Sequence, residues 1–524
     1  MQEVFPFYLS LIAVILLLIM LSRKIRVAYP VVLVLAGLGI SFIPGLPPLK
    51  INSELIFIIF LPPLLYDAAW QISWKELWRW RRIISSFAFL VVFFTAMAVA
   101  ITVHYLIPGF SLPLGFLLGA IVSPPDAVSA GAILKLVKVP RRVSYILEGE
   151  SLLNDASSLI IFRFALIAVA TGEFFLGDAA LSLVWMLTGG VGIGLLIGFI
   201  FMNSHKYLPT DVNIDIVLTI IAPYIMYIAA ESLHSSGVLA VVSGGLLLSK
   251  YRYRFLSSSS RLRNLNVWES LSFVLNGLVF MFIGLDLPQI TAELGDVSIL
   301  TASLYGILVT VVLVVARIIS SFTAVFVTLI ARNFITVADP SHPGYKLPIL
   351  IGWSGMRGVV SLAAALSIPV YLADGSLFPQ RNLILFITFV VILITLVFQG
   401  LTLPVLIKKL NIQDSDIDGT DQDGYNDIKL QMNQHALKVL NTLYIRELEH
   451  VPFLRQVAAK WKNGEHSEDG VLIAEEARTV YLQLLNHQRK WLIDKNRNDG
   501  EIDEEIIRKH LLYLDLEEER LQFV

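Results

Sequence analysis

The sequence contains no cysteine and few charged residues. Only 16% of its 524 residues are Asp, Glu, Lys or Arg, whereas soluble domains contain about a quarter. The absence of cysteine excludes a disulfide framework and any thiolate metal site. The formal net charge of -2 and the lack of a dense basic stripe give no reason to expect nucleic acid as a partner. The low charge indicates instead that lipid is the main solvent.

Apolar residues make up 56% of the chain and are concentrated in its first 410 positions. They form runs of about 20 residues, long enough to cross a hydrocarbon core about 30 Å thick. The runs predict an all-α membrane protein of about thirteen spans, near residues 4–22, 31–42, 52–70, 84–106, 112–134, 145–170, 179–202, 213–231, 236–249, 265–286, 297–331, 347–369 and 383–407. We predict a transmembrane domain, an acidic linker and a small helical cytoplasmic domain, at residues 1–410, 411–424 and 425–524.

Lys and Arg are distributed unevenly between alternate loops. Nineteen lie in loops that follow odd-numbered spans, whereas the loops after even-numbered spans contain only Lys50 and Arg381. Because cytoplasmic loops retain the excess of basic residues, the N-terminus is predicted outside and the C-terminal domain in the cytoplasm. The short tail and the lack of internal targeting signals favour a bacterial inner membrane.

An inverted repeat follows from the odd span count if span 7 is a linker. Spans 1–6 then begin outside and spans 8–13 begin inside. In such transporters the binding site is marked by interrupted hydrophobic segments at corresponding positions of the two halves. The fifth span of each half fits, because span 5 contains SPPDAV and span 12 contains GMRG.

Three charged residues lie at similar depth on three different spans. Asp155 is about ten residues into span 6, or roughly 15 Å from its cytoplasmic start. Asp126 and Arg357 lie at comparable depth in spans 5 and 12. A charge at the bilayer centre costs roughly 2.5 to 3.5 kcal/mol on insertion scales, so each needs a specific role.

The motif GESLLNDA, from Gly149 to Ala156, carries the densest polar signal. Ser151 and Asp155 are four residues apart and share one helix face, and Asn154 lies on the neighbouring stripe. Their oxygen atoms suit a monovalent ion such as Na+, K+ or Li+. The alternative is that Ser151 and Asn154 only hydrogen-bond neighbouring helices.

Asp126 directly follows two prolines, Pro124 and Pro125. Because proline lacks a backbone N–H, the helix is predicted to unwind at the carboxylate. The freed carbonyl oxygens can then complete a cation site. The alternative is a proline kink whose carboxylate is neutralised by a nearby arginine.

The deep arginines need carboxylate partners, because an uncompensated buried charge is strongly destabilising. For Arg357 the best candidate is Glu150, which lies near the same level. Arg317 and Arg163 can each hold a carboxylate in place and are interpreted as structural, although Arg317 is also a candidate modulator of the cation site.

GESLLNDA, SPPDAV and GMRGVVSLAAALSIP together resemble the cation:proton antiporter-1 family of NhaP-type antiporters and sodium/hydrogen exchangers. The resemblance covers all thirteen predicted spans. It implies a homodimer in which a dimerisation domain stays fixed while a six-helix core moves. Broken spans 5 and 12 cross in that core.

By position, Asp155 looks like the family's cation- and proton-binding carboxylate. Asn154 stands where electrogenic relatives place a second aspartate, and the resemblance therefore implies electroneutral exchange of one cation for one proton. Asp126 and Ser151 match positions that help to coordinate the ion.

Two further features of the resemblance concern the surroundings of this site. Glu150 with Arg357 matches an ion pair that supports the core. Pro125 replaces a threonine that many relatives carry, so one side-chain ligand is missing and the preferred ion stays open.

The predicted function is electroneutral exchange of Na+, with Li+ or K+ as alternatives, for H+, by a transporter that is not an enzyme and needs no cofactor. A K+/H+ antiporter of the same family is the main alternative. A cation channel is disfavoured because no filter loop repeats. An intramembrane aspartic protease is disfavoured because Tyr66 and Asp67 form a YD pair without a GxGD partner.

The tail after the acidic linker shows apolar residues at helical spacing. This spacing predicts several amphipathic helices. They form either a regulatory or dimer-contacting module or a small helical bundle that has no role beyond its own packing. The linker loosely resembles a calcium loop but lacks the closing glutamate.

Overall fold

The computed structural model describes residues 4–25, 27–43, 53–134, 139–172, 176–292, 294, 297–331, 345–372, 375–410, 421–463, 475–500 and 502–522. Within these ranges the chain is helical apart from turns and one isolated antiparallel bridge between Tyr371 and Leu377. Most of the predicted acidic linker lies outside the described residues.

Helices occur at each position where hydropathy predicts a span. Up to residue 410 they are α1 Val4–Ile25, α2 Tyr29–Ser41, α3 Ser53–Gln71, α4 Trp74–Arg79, α5 Arg81–Ser85, α6 Val92–Leu106, α7 Leu112–Val122, α8 Ala127–Leu134, α9 Arg141–Thr171, α10 Leu176–Tyr207, α11 Val212–Ser232, α12 Gly237–Phe255, α13 Ser258–Leu285, α14 Leu287–Ala292, α15 Ile299–Ala331, α16 Lys346–Trp353, α17 Val359–Leu366, α18 Arg381–Ile394 and α19 Gly400–Leu410. Among the described residues, 7 helical stretches are long and apolar enough to cross a membrane.

Two of the predicted spans are interrupted, as the sequence indicates. Span 5 consists of α7 and α8, separated by a break that contains Pro124 and Pro125. Span 12 consists of α16 and α17, separated by a break that contains Gly355 and Gly358. Proline cannot donate to a helical carbonyl and glycine weakens a helix, so both breaks follow from local chemistry.

The chain divides into two compact units. The first comprises residues 1–204, 218–251 and 268–413, and the second comprises 205–217, 252–267 and 414–524. The second unit is therefore larger than the predicted C-terminal domain, because it includes the ends of α10 and α12 and the starts of α11 and α13.

Five helices form the tail part of the second unit. They are α20 Asp421–Leu443, α21 Ile445–His450, α22 Pro452–Asn463, α23 Glu475–Asn498 and α24 Glu504–Gln522. Leu485 and Leu492 of α23 pack with Leu511 and Leu514 of α24 in a buried core. Apolar burial of this kind, at about 25 cal/mol per Å², is the main stabilisation of such small bundles.

Buried charges join the tail helices to residues 252–267 inside the second unit. Arg261 Nε donates to Asp515 Oδ2 at 2.8 Å, and Arg489 Nη2 donates to Glu518 Oε2 at 2.6 Å and to Asp515 Oδ1 at 3.0 Å. The Ser258 hydroxyl also donates to Glu518. These carboxylates explain why α24 and the start of α13 belong to one unit.

Candidate functional site

The two breaks lie against each other in the first unit. The backbone N–H of Asp126 donates to the carbonyl of Met356 at 2.7 Å, which joins the break in span 5 to the break in span 12. Arg357 Nε donates to the Val122 carbonyl at 2.7 Å and its Nη2 to the Ser123 carbonyl at 3.2 Å. The guanidinium therefore satisfies carbonyls at the end of α7 that have lost their helical donors.

The Pro125 carbonyl is a second point of contact, between the break and α9. Ser151 Oγ donates to it at 3.3 Å and Asn154 Nδ2 at 3.4 Å. The amide oxygen of Asn154 is buried and has no hydrogen-bond partner within the described ranges. Three oxygen atoms of different chemical type, from the Pro125 carbonyl, the Ser151 hydroxyl and the Asn154 amide, thus lie near one another where the first break meets α9.

Asp155 lies one turn of α9 beyond Ser151, on the same face of that helix. The residue is 7% exposed. In the part of the chain that the structure describes, its carboxylate makes no hydrogen bond and no ion pair with protein. The charge of Asp126 acts on it through space. A buried carboxylate without a protein partner is unfavourable as a bare charge, and a proton or a cation removes that cost.

Asp126, in contrast, is held by its own helix. The Ser129 hydroxyl and the Ser129 N–H both donate to Asp126 Oδ2, the latter at 3.4 Å. The Asp126 carbonyl accepts the first N–H bond of α8, from Ala130 at 3.3 Å. Asp126 is therefore the N-cap residue of α8, a position that favours aspartate.

The prediction that Glu150 forms an ion pair with Arg357 is wrong, because Glu150 pairs with Arg317 instead. Arg317 Nη2 of α15 lies 2.7 Å from Glu150 Oε1, with 1% and 0% of the two side chains exposed. Arg357 makes its hydrogen bonds to backbone carbonyls instead, although the Glu150 charge still acts on it through space. The break in span 12 explains the difference, because it directs the guanidinium toward the unpaired carbonyls of α7.

Arg163 pairs with neither aspartate nor with Glu150. Its guanidinium contacts Glu231 of α11, and Glu231 Oε1 also accepts the Gly237 N–H at 3.1 Å. The pair lines a cavity of about 450 Å³ whose wall includes Leu159 and Ile160, one turn of α9 beyond Asp155. Arg163 therefore belongs to the wall of a cavity beside the site.

Two residues of the site, Ser129 and Thr395, are not among those predicted from the sequence. Ser129 follows Asp126 by three residues and fits the pattern of a helix cap, so a local signal was present. Thr395, whose hydroxyl accepts the Arg357 N–H at 3.2 Å, lies 38 residues away in sequence. No local signal connects those two residues.

Gly358 allows the close approach of the two breaks. A methyl group added there would overlap the Asp126 carboxylate. We expect Gly358→Ala to cost about 1–3 kcal/mol of stability by overpacking and to lower transport by displacing that carboxylate. The matched control is Gly131→Ala in α8, where an added methyl meets nothing within 4 Å. Thermal unfolding and transport assays of both variants test this, and equal behaviour would contradict it.

Comparison with known proteins shows the family to which the chain belongs. The profile described as "Sodium/hydrogen exchanger, transmembrane" matches residues 10–409. The chain is 36% identical over 400 residues to the sodium, potassium, lithium and rubidium/H+ antiporter of Bacillus pumilus, covering 73% of this chain and 58% of that protein. It is 34% identical over 396 residues to the Na+/H+ antiporter ApNhaP of Aphanothece halophytica, covering 74% of this chain and 70% of that one.

The chain spans 58% of the length of the Bacillus relatives that it matches. The sodium proton antiporter MjNhaP1 from Methanocaldococcus jannaschii has the same fold, with a TM-score of 0.62, 18% identity and coverage of 79% of this chain and 99% of that one. The predicted all-α membrane fold and the family resemblance are both confirmed. The chain is a multi-pass membrane protein that belongs to the sodium/hydrogen exchanger family.

Proposed function

We propose that the chain exchanges a monovalent cation, Na+ before K+, for protons, and that Asp155 binds the two competitively. One observation carries the proposal. The Asp155 side chain is buried, its carboxylate has no protein partner within the described residues, and the Asp126 charge acts on it through space. A site built only for packing would satisfy that carboxylate with an arginine, as Glu150 is satisfied by Arg317.

Competition at Asp155 couples the two ions. Proton and cation each neutralise the carboxylate, and loading both restores an unfavourable net charge. The empty carboxylate crosses poorly, because moving a bare charge through a low-dielectric barrier is expensive. Exchange is therefore obligatory, and acid lowers the flux by filling the site with protons.

The other ligands are oxygen atoms of the surrounding residues. Asp126 and Ser151 supply side-chain oxygens, and the amide oxygen of Asn154 is buried and unpartnered in the described structure. The Pro125 carbonyl points to the same residues. Hard oxygen ligands suit Na+, K+ and Li+ alike, so ligand chemistry alone does not select one of these cations.

The names of the relatives support Na+ and keep K+ open. ApNhaP is a Na+/H+ antiporter, and the Bacillus pumilus protein is a sodium, potassium, lithium and rubidium/H+ antiporter. Pro125 offers a carbonyl but no side-chain ligand. A K+/H+ antiporter with the same site is thus the second candidate.

The exchange is electroneutral in this proposal. Asp155 is the one carboxylate of α9 at the site, since its neighbour is Asn154. Asp126 is held in place as the cap of α8 by Ser129. One proton then replaces one monovalent cation.

Alternating access of a moving core in a homodimer completes the mechanism. Helices α10 and α15 leave much of their apolar surface exposed: only 33% and 28% of the most apolar stretch of each helix is buried. These exposed surfaces support contact with lipid or with a partner subunit. The distribution of Lys and Arg supports an outer N-terminus and a cytoplasmic C-terminus.

The test is proton flux in proteoliposomes that hold an imposed pH gradient. Na+, K+ or Li+ is added in turn at equal ionic strength, with protein-free liposomes as the background. We expect Na+ to trigger the largest flux, and currents on a solid-supported membrane to stay at background because the exchange is electroneutral.

Each outcome decides one part of the proposal. Flux with K+ alone would replace Na+ by K+, and measurable currents would exclude one-for-one exchange. Absence of flux with every cation would overturn antiport itself.

A further inference from the structure

A small, partly open cavity lies inside the second unit, lined by helices of the tail. Its volume is about 30 Å³. Because a water molecule needs about 10–15 Å³ measured in this way, the cavity has room for two waters or one small ion. Nucleotides and other organic ligands need sites of about 300 Å³ or more. The size therefore selects small inorganic ligands.

Two buried polar side chains line this cavity without satisfying all their hydrogen-bonding atoms. His510 of α24 is 0% exposed and stacks on Tyr425, with ring centroids 4.2 Å apart. Its Nε2 lies 3.1 Å from the Tyr425 carbonyl, which can only accept, so Nε2 carries the hydrogen. His510 Nδ1 then has no partner in the described structure, and neither has Oε1 of Gln488, which is 1% exposed.

The cavity wall is positively charged. Lys429 of α20 and Lys460 of α22 both line it, and the described residues of the wall include no aspartate or glutamate. Burial lowers the pKa of Lys429. Burial also lowers the pKa of His510, the hydrogen bond to the Tyr425 carbonyl raises it, and the Lys429 charge lowers it further. An anion in the cavity would be attracted by the two lysines and would favour the protonated form of His510.

We propose that this cavity binds a small inorganic anion of the size of chloride or bicarbonate between Lys429 and Lys460, and that His510 takes up a proton when the anion enters. The protonated imidazole donates its Nδ1–H to the anion while Nε2–H keeps its bond to Tyr425. Rotation of the Gln488 amide turns its NH2 group toward the same ligand, since the two ends of an amide are similar in shape.

The other titratable groups around His510 do not replace it as the proton acceptor. Burial and the nearby Glu517 charge raise the pKa of Tyr513 to about 12, and burial raises the pKa of Tyr481 further, so both stay neutral. Among the described residues, the titratable groups that line the cavity with His510 are Tyr425, Lys429, Lys460, Tyr481 and Tyr513, and the charges of Glu517 and Arg520 act on Tyr481 and Tyr513.

The sign of the pH dependence follows from proton uptake. His510 of the empty site has a lowered pKa, whereas the bound anion raises it. Between those two pKa values the anion affinity falls by about tenfold for each pH unit of increase, because one proton is bound with each anion. Acid therefore favours the occupied cavity.

The experiment uses the purified full chain in detergent at constant Na+ concentration and ionic strength. Thermal unfolding is followed at pH 6 and pH 8 while gluconate is replaced by chloride, bromide or bicarbonate. Gluconate is too large for the cavity. We expect a saturable rise in the unfolding temperature with the small anions, larger at pH 6.

The variant Lys429→Gln/Lys460→Gln tests the site, and Lys438→Gln, an exposed lysine of α20, is the matched control. The double variant should lose the anion effect while Lys438→Gln keeps it. Calorimetric titration of the unaltered chain with bromide in two buffers of different ionisation enthalpy should show uptake of up to one proton per anion. Equal unfolding temperatures in chloride and gluconate, an anion effect that survives in the double variant, or binding without proton uptake would each overturn the proposal.

Discussion

Asp155→Asn should reduce cation-triggered proton flux to the level of protein-free liposomes. Asparagine has nearly the same shape but carries no titratable proton and cannot neutralise a cation. Because the Asp155 carboxylate has no protein partner among the described residues, the Asp155→Asn substitution removes no hydrogen bond that stabilises the fold. Transport is therefore expected to vanish while thermal unfolding changes little.

Asp67→Asn is the matched control for that result. Asp67 is also buried in the first unit, but its carboxylate accepts from Ser272 Oγ at 2.6 Å and from Gln71 Nε2 at 2.8 Å. We expect this variant to unfold at lower temperature and to retain cation-dependent flux. If Asp155→Asn transports as well as the unaltered chain, the assignment of the ion-binding carboxylate is wrong.

Arg317→Met should destabilise the protein by about 3–5 kcal/mol, because it leaves the Glu150 charge buried and uncompensated. Glu150 is fully buried, and its second carboxylate oxygen already lacks a partner within the described chain. The double variant Arg317→Met/Glu150→Gln should recover most of the loss, since it removes both charges. Unfolding midpoints of the unaltered chain, Arg317→Met, Glu150→Gln and the double variant in a denaturing-detergent titration measure the coupling.

The pair of Arg163 and Glu231 provides the comparison for this cycle. Its side chains are 36% and 30% exposed, so solvent screens the interaction. Such pairs contribute about 0–1 kcal/mol. A loss in Arg317→Met no larger than that in Arg163→Met would contradict the assignment of Glu150 and Arg317 as the supporting pair.

The outline of the fold was predictable because hydropathy and helix breaking are local properties. Each predicted span coincides with a helix or a broken pair of helices. Pro124 with Pro125, and Gly355 with Gly358, mark the two breaks in the sequence itself. The spacing of Ser151 and Asp155 placed both on one face of α9 in the same way.

The partners of the deep arginines were not predictable for a geometric reason. Counting residues along a helix gives the depth of a side chain but not the rotation of that helix about its axis or the reach of the side chain. Matching depths predict a pair of Glu150 and Arg357. In the structure, however, Arg317 Nη2 of α15 lies 2.7 Å from Glu150 Oε1.

Hydropathy, sequence motifs and helix-breaking residues are enough to predict an all-α membrane protein, its family and the two broken spans. Contacts in space show that Asp155 has no protein partner in the described chain, that Asp126 is held as a helix cap, and that residues 252–267 belong with the tail. The physical reason is that hydropathy, capping and helix breaking depend on neighbours in sequence, whereas compensation of a buried charge depends on neighbours in space, here up to 254 residues apart for Arg261 and Asp515.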